Sequence, residues 1–198
     1  MSAAARLFVA VDPPASVREQ LAGWARGVRA SLGSGRGSGG RDALRLVDAD
    51  SLHLTLCFLG DRPVGEIDAL AHALRSCREE SCELSVGAPL WLPPRRPRAL
   101  AVEIDDPDGE LAGIQPRVSE AMSEAGGWEP QRRRFRAHVT VARMREGALG
   151  ASYARPLEPT PQMRFAPGSI VLYRSWLSPG GATYEALESC ELTPLPAD

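Results

Sequence analysis

Two stretches of the chain combine strand-forming apolar residues with the same polar pair, and this duplication constrains the fold more than any other feature. The tetrapeptide His53-Leu54-Thr55-Leu56 recurs as His138-Val139-Thr140-Val141. Side chains alternate between the two faces of a strand, so each histidine shares a face with the threonine two residues later. The aliphatic residues turn the other way. We therefore expect two similar halves, each contributing one His-x-Thr strand.

The rest of the chain predicts an α+β fold in which antiparallel strands outnumber helices. Apolar residues at three- to four-residue spacing predict helices, and short apolar runs bounded by turn residues predict strands. The helices are predicted at 17–28, 64–80 and 110–124, and the strands at 6–12, 44–47, 52–59, 82–90, 98–104, 135–144, 163–165, 169–177 and 183–192. We expect a single bilobal domain, residues 1–198, with two pseudo-symmetric lobes of antiparallel sheet, flanking helices and a central groove that receives one His-x-Thr strand from each lobe.

The two motif histidines are two of only three in the chain, and their pairing indicates acid–base chemistry. The unperturbed pKa of histidine is about 6.5, so an imidazole accepts or donates a proton near neutral pH. One His-x-Thr strand arises readily by chance, whereas a duplicated polar pair in otherwise hydrophobic strands has no packing rationale. We predict that His53 and His138 face one cleft as a catalytic pair. His72, in a predicted helix, is expected to have no catalytic part.

The charge and the residue inventory exclude several classes of function. The formal net charge is −2 at pH 7, which argues against bulk, sequence-independent binding of nucleic acid. All 23 basic residues are arginines. Without lysine, the chain cannot supply a P-loop lysine, a Schiff base or a lysyl-nucleotide intermediate. The arginines cluster at 95–98 and at 132–136, and the second cluster leads directly into His138.

Neither a membrane segment nor a cysteine framework is indicated. The apolar run at 7–11 is too short for the core of a signal peptide, and no stretch approaches the roughly 20 apolar residues that cross a bilayer. The four cysteines contain no C-x-x-C pair, so the sequence signals neither a zinc site nor a disulfide framework. We expect a cytoplasmic protein with reduced thiols.

Four segments together match the pattern of one enzyme family. They are the two His-x-Thr-x motifs with their flanks at 51–60 and 135–143, the opening Arg-Leu-Phe-Val-Ala-Val-Asp at 6–12 and a late Leu-Tyr-Arg-Ser at 172–175. In these segments the chain resembles the two-histidine phosphoesterases, specifically the bacterial RNA 2′,3′-cyclic phosphodiesterases, also called 2′-5′ RNA ligases. Two departures are visible. Ala137 stands where the family often has proline, and the loop Gly33–Gly40 looks like an insertion.

The resemblance implies hydrolysis of RNA 2′,3′-cyclic phosphate ends to 2′-phosphates, without a metal or a cofactor. His138 would act as the general base that deprotonates the attacking water, and His53 as the general acid that protonates the leaving 3′ oxygen. The hydroxyls of Thr55 and Thr140 would donate to the non-bridging phosphate oxygens. By microscopic reversibility, the same groups would also serve the sealing of RNA ends through a 2′-5′ bond.

Three residues outside the motif pairs bear on substrate contact. Family precedent has Arg143 touch the substrate phosphate or sugar, but strict alternation along the strand turns it away from His138 unless a bulge intervenes. Trp91, in the predicted connection 91–97, is either a stacking surface for a nucleobase or an anchor of that connection on the core. Phe58 is expected in the core, because alternation places it on the face opposite to His53.

Two other functions stay open at the level of sequence. One is a nucleotide- or RNA-binding module without turnover, although a pure binder has no need of two titrating imidazoles. The other is a phosphodiesterase that acts on a small cyclic nucleotide. The expected partners are RNA ends or nucleotides with a 2′,3′-cyclic phosphate. No membrane association and no obligate protein partner is indicated, so we expect a monomer.

Overall fold

The computed structural model describes residues 3–33, 43–130, 134–145, 156–178 and 181–194, which contain nine strands and three helices. The helices are α1 (Ala15–Gly33), α2 (Ile67–Ser76) and α3 (Glu110–Gly126). The strands are β1 (Ala4–Val11), β2 (Leu44–Leu46), β3 (Leu54–Pro63), β4 (Leu84–Leu92), β5 (Ala99–Asp105), β6 (His138–Met144), β7 (Arg164–Phe165), β8 (Ser169–Ser178) and β9 (Gly181–Glu191). The predicted insertion Gly33–Gly40 falls, after its first residue, outside the described residues.

The strands form one antiparallel sheet in the order β7-β4-β5-β6-β3-β1-β8-β9, with β2 paired to β6. Strands β1, β3, β8 and β9 make up one half, and the other five strands make up the second half. Each half contains one histidine strand, β3 or β6, and these two strands meet at the centre. The predicted α+β class with antiparallel sheet is confirmed.

The helices are amphipathic and bury their apolar side chains against the sheet and against each other. Helices α2 and α3 are in contact, with their inward residues buried: Leu70, Ala71, Leu74, Leu111, Ile114, Val118 and Met122. Helix α3 ends at Gly127, whose φ of 58° is a left-handed conformation that glycine adopts readily. In the described ranges, no helix is both long and apolar enough to span a membrane.

Helix α2 is shorter than the sequence predicts. A helix was expected over 64–80, but a 3₁₀ turn occupies Val64–Glu66 and the chain becomes extended at Cys77. At the C-terminal end, the reason is a distant backbone partner. The Thr193 N–H donates to the Glu79 carbonyl at 3.0 Å, and the Ser81 N–H donates to the Thr193 carbonyl at 2.8 Å. Local helical periodicity carries no information about this competing pairing.

Candidate active site

A cleft of about 270 Å³ opens where the two histidine strands meet. It is lined by both residues of each motif pair, His53 with Thr55 and His138 with Thr140, and by Arg143. Both threonines are half-buried, so their hydroxyls lie at the wall of the cleft rather than in the core. The structure therefore brings together five of the six residues predicted to form the site.

One cross-strand pair explains why the two motifs converge. Leu54 of β3 lies directly opposite Val139 of β6, and both side chains are fully buried. Because these strands run antiparallel, His53 and Thr140 lie to one side of this pair, and Thr55 and His138 lie to the other. Each histidine is thereby placed next to the threonine of the other motif, and all four polar side chains turn away from the core face.

Both imidazoles are held in the same tautomer by the backbone two residues upstream. His53 Nδ1 lies 2.8 Å from the Ser51 carbonyl oxygen, and His138 Nδ1 lies 2.7 Å from the Arg136 carbonyl oxygen. A carbonyl only accepts, so Nδ1 carries the hydrogen in each ring. In the neutral ring, Nε2 is then the free, proton-accepting nitrogen. In the charged ring, Nε2 carries the proton that is available for donation.

His53 is enclosed by aromatic rings, which the sequence reasoning did not anticipate. Its ring centroid lies 4.8 Å from that of Phe8 and 5.0 Å from that of Tyr184, which meets it edge-on at 89°. Phe8 stacks in turn on Tyr173 at 5.2 Å, and the Tyr173 hydroxyl donates to the Asp12 carboxylate. The enclosure restrains the orientation of the His53 ring.

Burial also shifts the pKa values of two of these rings, His53 and Tyr173. Burial lowers the pKa of His53, because it disfavours the charged imidazolium. The hydrogen bond to Ser51 and the charge of Asp12 oppose this shift, and the positive charge of Arg143 adds to it. The pKa of the Tyr173 phenol is raised, by burial first and by the Asp12 carboxylate second. Tyr173 therefore stays protonated and keeps its hydrogen bond to Asp12.

A β-bulge in β3 turns Phe58 into the cleft, and the prediction that Phe58 lies in the core is wrong. Against β1, Thr55 pairs with Ala10 and Cys57 pairs with Val9, so Leu56 is an extra residue in β3. The bulge shifts the alternation by one position. Phe58 is 49% exposed and lines the cleft on the same side as Thr55.

A second bulge, at the matching place in β6, turns Arg143 onto the face of His138. Against β5, Thr140 pairs with Ala101 and Ala142 pairs with Leu100, so Val141 is the extra residue. Strict alternation would turn Arg143 away from His138, so this bulge is what lets Arg143 reach the site. Phe58 and Arg143 each stand five residues after a motif histidine. This equal spacing is the sequence signal that could have placed both side chains at the site.

Trp91 does not lie among the residues that line the cleft. The sequence placed it in a connection at 91–97, but β4 runs to Leu92 and Trp91 pairs with Leu100 of β5. Its ring packs against the hydrophobic core, and its Nε1 is buried. Of the two interpretations, the structure places Trp91 as the anchor. His72, as expected, is exposed on α2 and away from the cleft.

Two further arginines reach the cleft and were not singled out from the sequence. Arg6 of β1 and Arg45 of β2 both line it, in addition to Arg143. Their alternation with apolar residues was visible, but which face they occupy depends on pairing with distant strands. Within the described ranges, no group of three or more histidine, cysteine, aspartate or glutamate side chains is arranged to hold a metal ion. The arrangement places two imidazoles, the two motif threonines and arginine side chains around one space.

Comparison with known proteins identifies relatives along nearly the full chain. A model of the 2′-5′ RNA ligase superfamily matches residues 7–176. The RNA 2′,3′-cyclic phosphodiesterase of Escherichia coli strain K12 is 30% identical over 195 residues, which cover 98% of this chain and 99% of that protein. The RNA 2′,3′-cyclic phosphodiesterase of Archaeoglobus fulgidus is 27% identical over 188 residues, covering 94% of this chain and 99% of that one.

The fold is likewise similar to solved structures. The crystal structure of E. coli LigT complexed with 3′-AMP matches with a TM-score of 0.74 at 27% identity, over 96% of this chain and 99% of that chain. A structure described as a phosphoesterase matches with a TM-score of 0.76 at 28% identity, again over 96% and 99%. The resemblance read from the two motifs is confirmed, and the chain belongs to the 2′-5′ RNA ligase superfamily.

Proposed function

We propose that this protein hydrolyses 2′,3′-cyclic phosphates at RNA ends to 2′-phosphates, with His53 and His138 as the catalytic pair. The observation that carries the proposal is the symmetric presentation of the two imidazoles. Each has Nδ1 bonded to a backbone carbonyl and Nε2 free, on strands from opposite halves of the sheet that share one cleft. The relatives that match nearly the full chain are named RNA 2′,3′-cyclic phosphodiesterases, which supports the same reaction here.

The reaction needs one proton removed and one proton supplied on opposite sides of phosphorus. His138 Nε2 takes a proton from water as the water oxygen bonds to phosphorus. The bond between phosphorus and the 3′ oxygen breaks, and His53 Nε2–H protonates that oxygen. A 2′-phosphate and a free 3′ hydroxyl result. After the step His138 is charged and His53 is neutral, so exchange of protons with solvent restores the starting state.

Negative charge builds on the non-bridging oxygens as five-coordinate phosphorus forms. Thr55 and Thr140 lie on opposite sides of the Leu54–Val139 pair, so their hydroxyls are placed to donate to different oxygens. The guanidinium of Arg143 adds positive charge on the same face. No step in this scheme draws on a metal ion.

The lowered pKa of His53 sets a condition on its role as the acid. In the free protein, burial favours neutral His53, which cannot donate from Nε2. A bound cyclic phosphate brings a negative charge into the cleft, and a nearby opposite charge raises the pKa of an imidazole. Substrate binding therefore promotes the protonated, donating form of His53.

The exposed ring of Phe58, and not Trp91, offers a nucleobase an aromatic surface at the cleft. Base stacking on such rings is tolerant of sequence and supports single-stranded RNA as the substrate class. With the 5′ hydroxyl of a second RNA strand in place of water, the same groups would open the cyclic phosphate to a 2′-5′ phosphodiester and a free 3′ hydroxyl. We propose that residues 1–198 work as one bilobal domain, since each half supplies one histidine.

The proposal is tested with a panel of oligonucleotides and mononucleotides that carry 2′,3′-cyclic phosphates. Chromatography against synthetic 2′- and 3′-phosphate standards resolves the products. We expect conversion to 2′-phosphates only. Binding of the panel without turnover would contradict the proposal and favour a binding module, and exclusive formation of 3′-phosphates would contradict the proposed leaving group. Turnover confined to mononucleotides would favour a small cyclic nucleotide as substrate.

A further inference from the structure

Two arginines face each other across neighbouring strands at one end of the cleft. Arg45 of β2 lies directly opposite Arg143 of β6 in the antiparallel register, and both side chains line the cleft. The catalytic scheme gives Arg143 a part but gives Arg45 none. Two guanidinium groups that line the same end of the cleft are suited to bind an anion there.

The Arg45 side chain reaches from its own half of the sheet to the other half. Its strand, β2, pairs with β6, whereas its guanidinium lies against Gly181 at the start of β9. A Cβ added to Gly181 would stand 3.6 Å from both Cζ and Nη1 of Arg45. Gly181 also has a φ of 139°, which other residues rarely adopt. The guanidinium is thus held across the end of the cleft.

An annex of about 50 Å³ continues the cleft at this end. The residues that line both the annex and the main cleft include Arg45, Arg143, Ser51 and Tyr184. Asp48, an acidic residue, also lines the annex. Arginine presents a planar fork of donors that matches phosphate oxygens, and this makes phosphate the anion that the annex suits best.

We propose that Arg45, together with Arg143, binds the phosphate group on the 5′ side of the nucleoside whose cyclic phosphate lies between the histidines. This inference rests on the proposed function. A 2′,3′-cyclic phosphate ends its strand, so the next phosphate of an RNA substrate is reached only through the 5′ oxygen of the same nucleoside. Arg45 is then a specificity-determining residue. It selects strand ends and 5′-phosphorylated nucleotides over bare nucleoside cyclic phosphates.

The minimal test compares adenosine 2′,3′-cyclic phosphate with the same compound carrying a 5′-phosphate. The ratio of their kcat/KM values reports on the added phosphate alone. For the unmodified protein we expect a ratio of about ten or more in favour of the 5′-phosphorylated compound, the size of one hydrogen bond to a charged group. Arg45→Gln should lower the ratio well below that of the unmodified protein, with Arg143 left as the remaining contact. Arg45→Lys, which keeps the charge but loses the fork, should give an intermediate ratio.

Arg26→Gln is the matched control, since Arg26 is exposed on α1 and does not line the cleft. It should leave the ratio unchanged. A ratio near one for the unmodified protein, or an unchanged ratio in Arg45→Gln with the circular dichroism spectrum intact, would overturn the inference. An equal loss of kcat/KM on both compounds would do the same. If neither compound, nor a cyclic-phosphate oligonucleotide, is hydrolysed by the unmodified protein, the proposed function itself has failed.

Discussion

Replacing each motif threonine by valine separates phosphate stabilisation from folding. Valine nearly conserves the volume of threonine and forms strands readily, so Thr55→Val and Thr140→Val remove a hydroxyl with little change in packing. Both threonines are half-buried at the cleft wall, on opposite sides of the buried Leu54–Val139 pair. The two substitutions therefore probe two separate donors to the phosphate.

The expected loss follows from the energy of a hydrogen bond to a charged group. Such a bond contributes about 1.5–3 kcal/mol, and each 1.4 kcal/mol corresponds to about tenfold in rate. Each variant should thus lower kcat by roughly 10-fold or more. The rate should follow a bell-shaped curve against pH, because one imidazole must be neutral and the other charged. In the threonine variants the two limbs of this curve should hardly move, since neither hydroxyl titrates in this range.

Single-turnover rates on a cyclic-phosphate oligonucleotide, taken from pH 5 to 9, measure these losses. Thr183→Val serves as the control, because Thr183 is exposed on β9 and does not line the cleft. It should match the unmodified protein. Unchanged rates in both Thr55→Val and Thr140→Val would refute the reasoning and leave the threonines as strand-forming residues only.

Four further outcomes are expected. Activity should survive exhaustive chelation, measured after dialysis against a chelator; loss that zinc, magnesium or manganese restores would point to metal-dependent chemistry. His53 in the free protein should titrate below its ordinary value of about 6.5 by NMR, since burial favours the neutral ring; titration above that value would contradict the enclosure. The limbs of kcat, which belong to the imidazole pair, should lie at higher pH than those of kcat/KM, because bound phosphate raises the pKa of an imidazole beside it; coincident limbs would count against His53 as the acid. In a substrate with sulfur in place of the 3′ oxygen, the sulfur departs as a thiolate and needs no proton. Such a substrate should restore the activity of His53→Ala and should not restore that of His138→Ala.

Much of the fold was predictable because its signals are local. The strands and helices follow from apolar spacing, and the duplicated His-x-Thr motif predicted two halves that converge on one groove. The end of α2 was not predictable, since the backbone of Glu79 and Ser81 pairs with Thr193, more than a hundred positions along the chain. Local periodicity cannot report such a partner.

The candidate site shows the same limit at the level of single residues. The histidines and threonines could be placed on one face by alternation alone. Phe58 could not, because the bulge at Leu56 arises from the register against β1, and Arg143 needed the equivalent bulge at Val141. The rings around His53 come from β1, β8 and β9, so their convergence is a property of the assembled sheet.

The most direct test of the two-histidine account is a double-mutant cycle at His53 and His138. His53→Ala and His138→Ala should each lower kcat by at least about 100-fold, the loss expected for a positioned acid or base. The double variant should be little slower than the slower single variant, because the two groups act in one concerted step. His72→Ala, which removes the third histidine on exposed α2, controls for the loss of an imidazole and should be fully active. Near-unmodified activity in either motif variant with the fold intact, or losses that multiply to about 10,000-fold in the double variant, would contradict a concerted two-histidine mechanism.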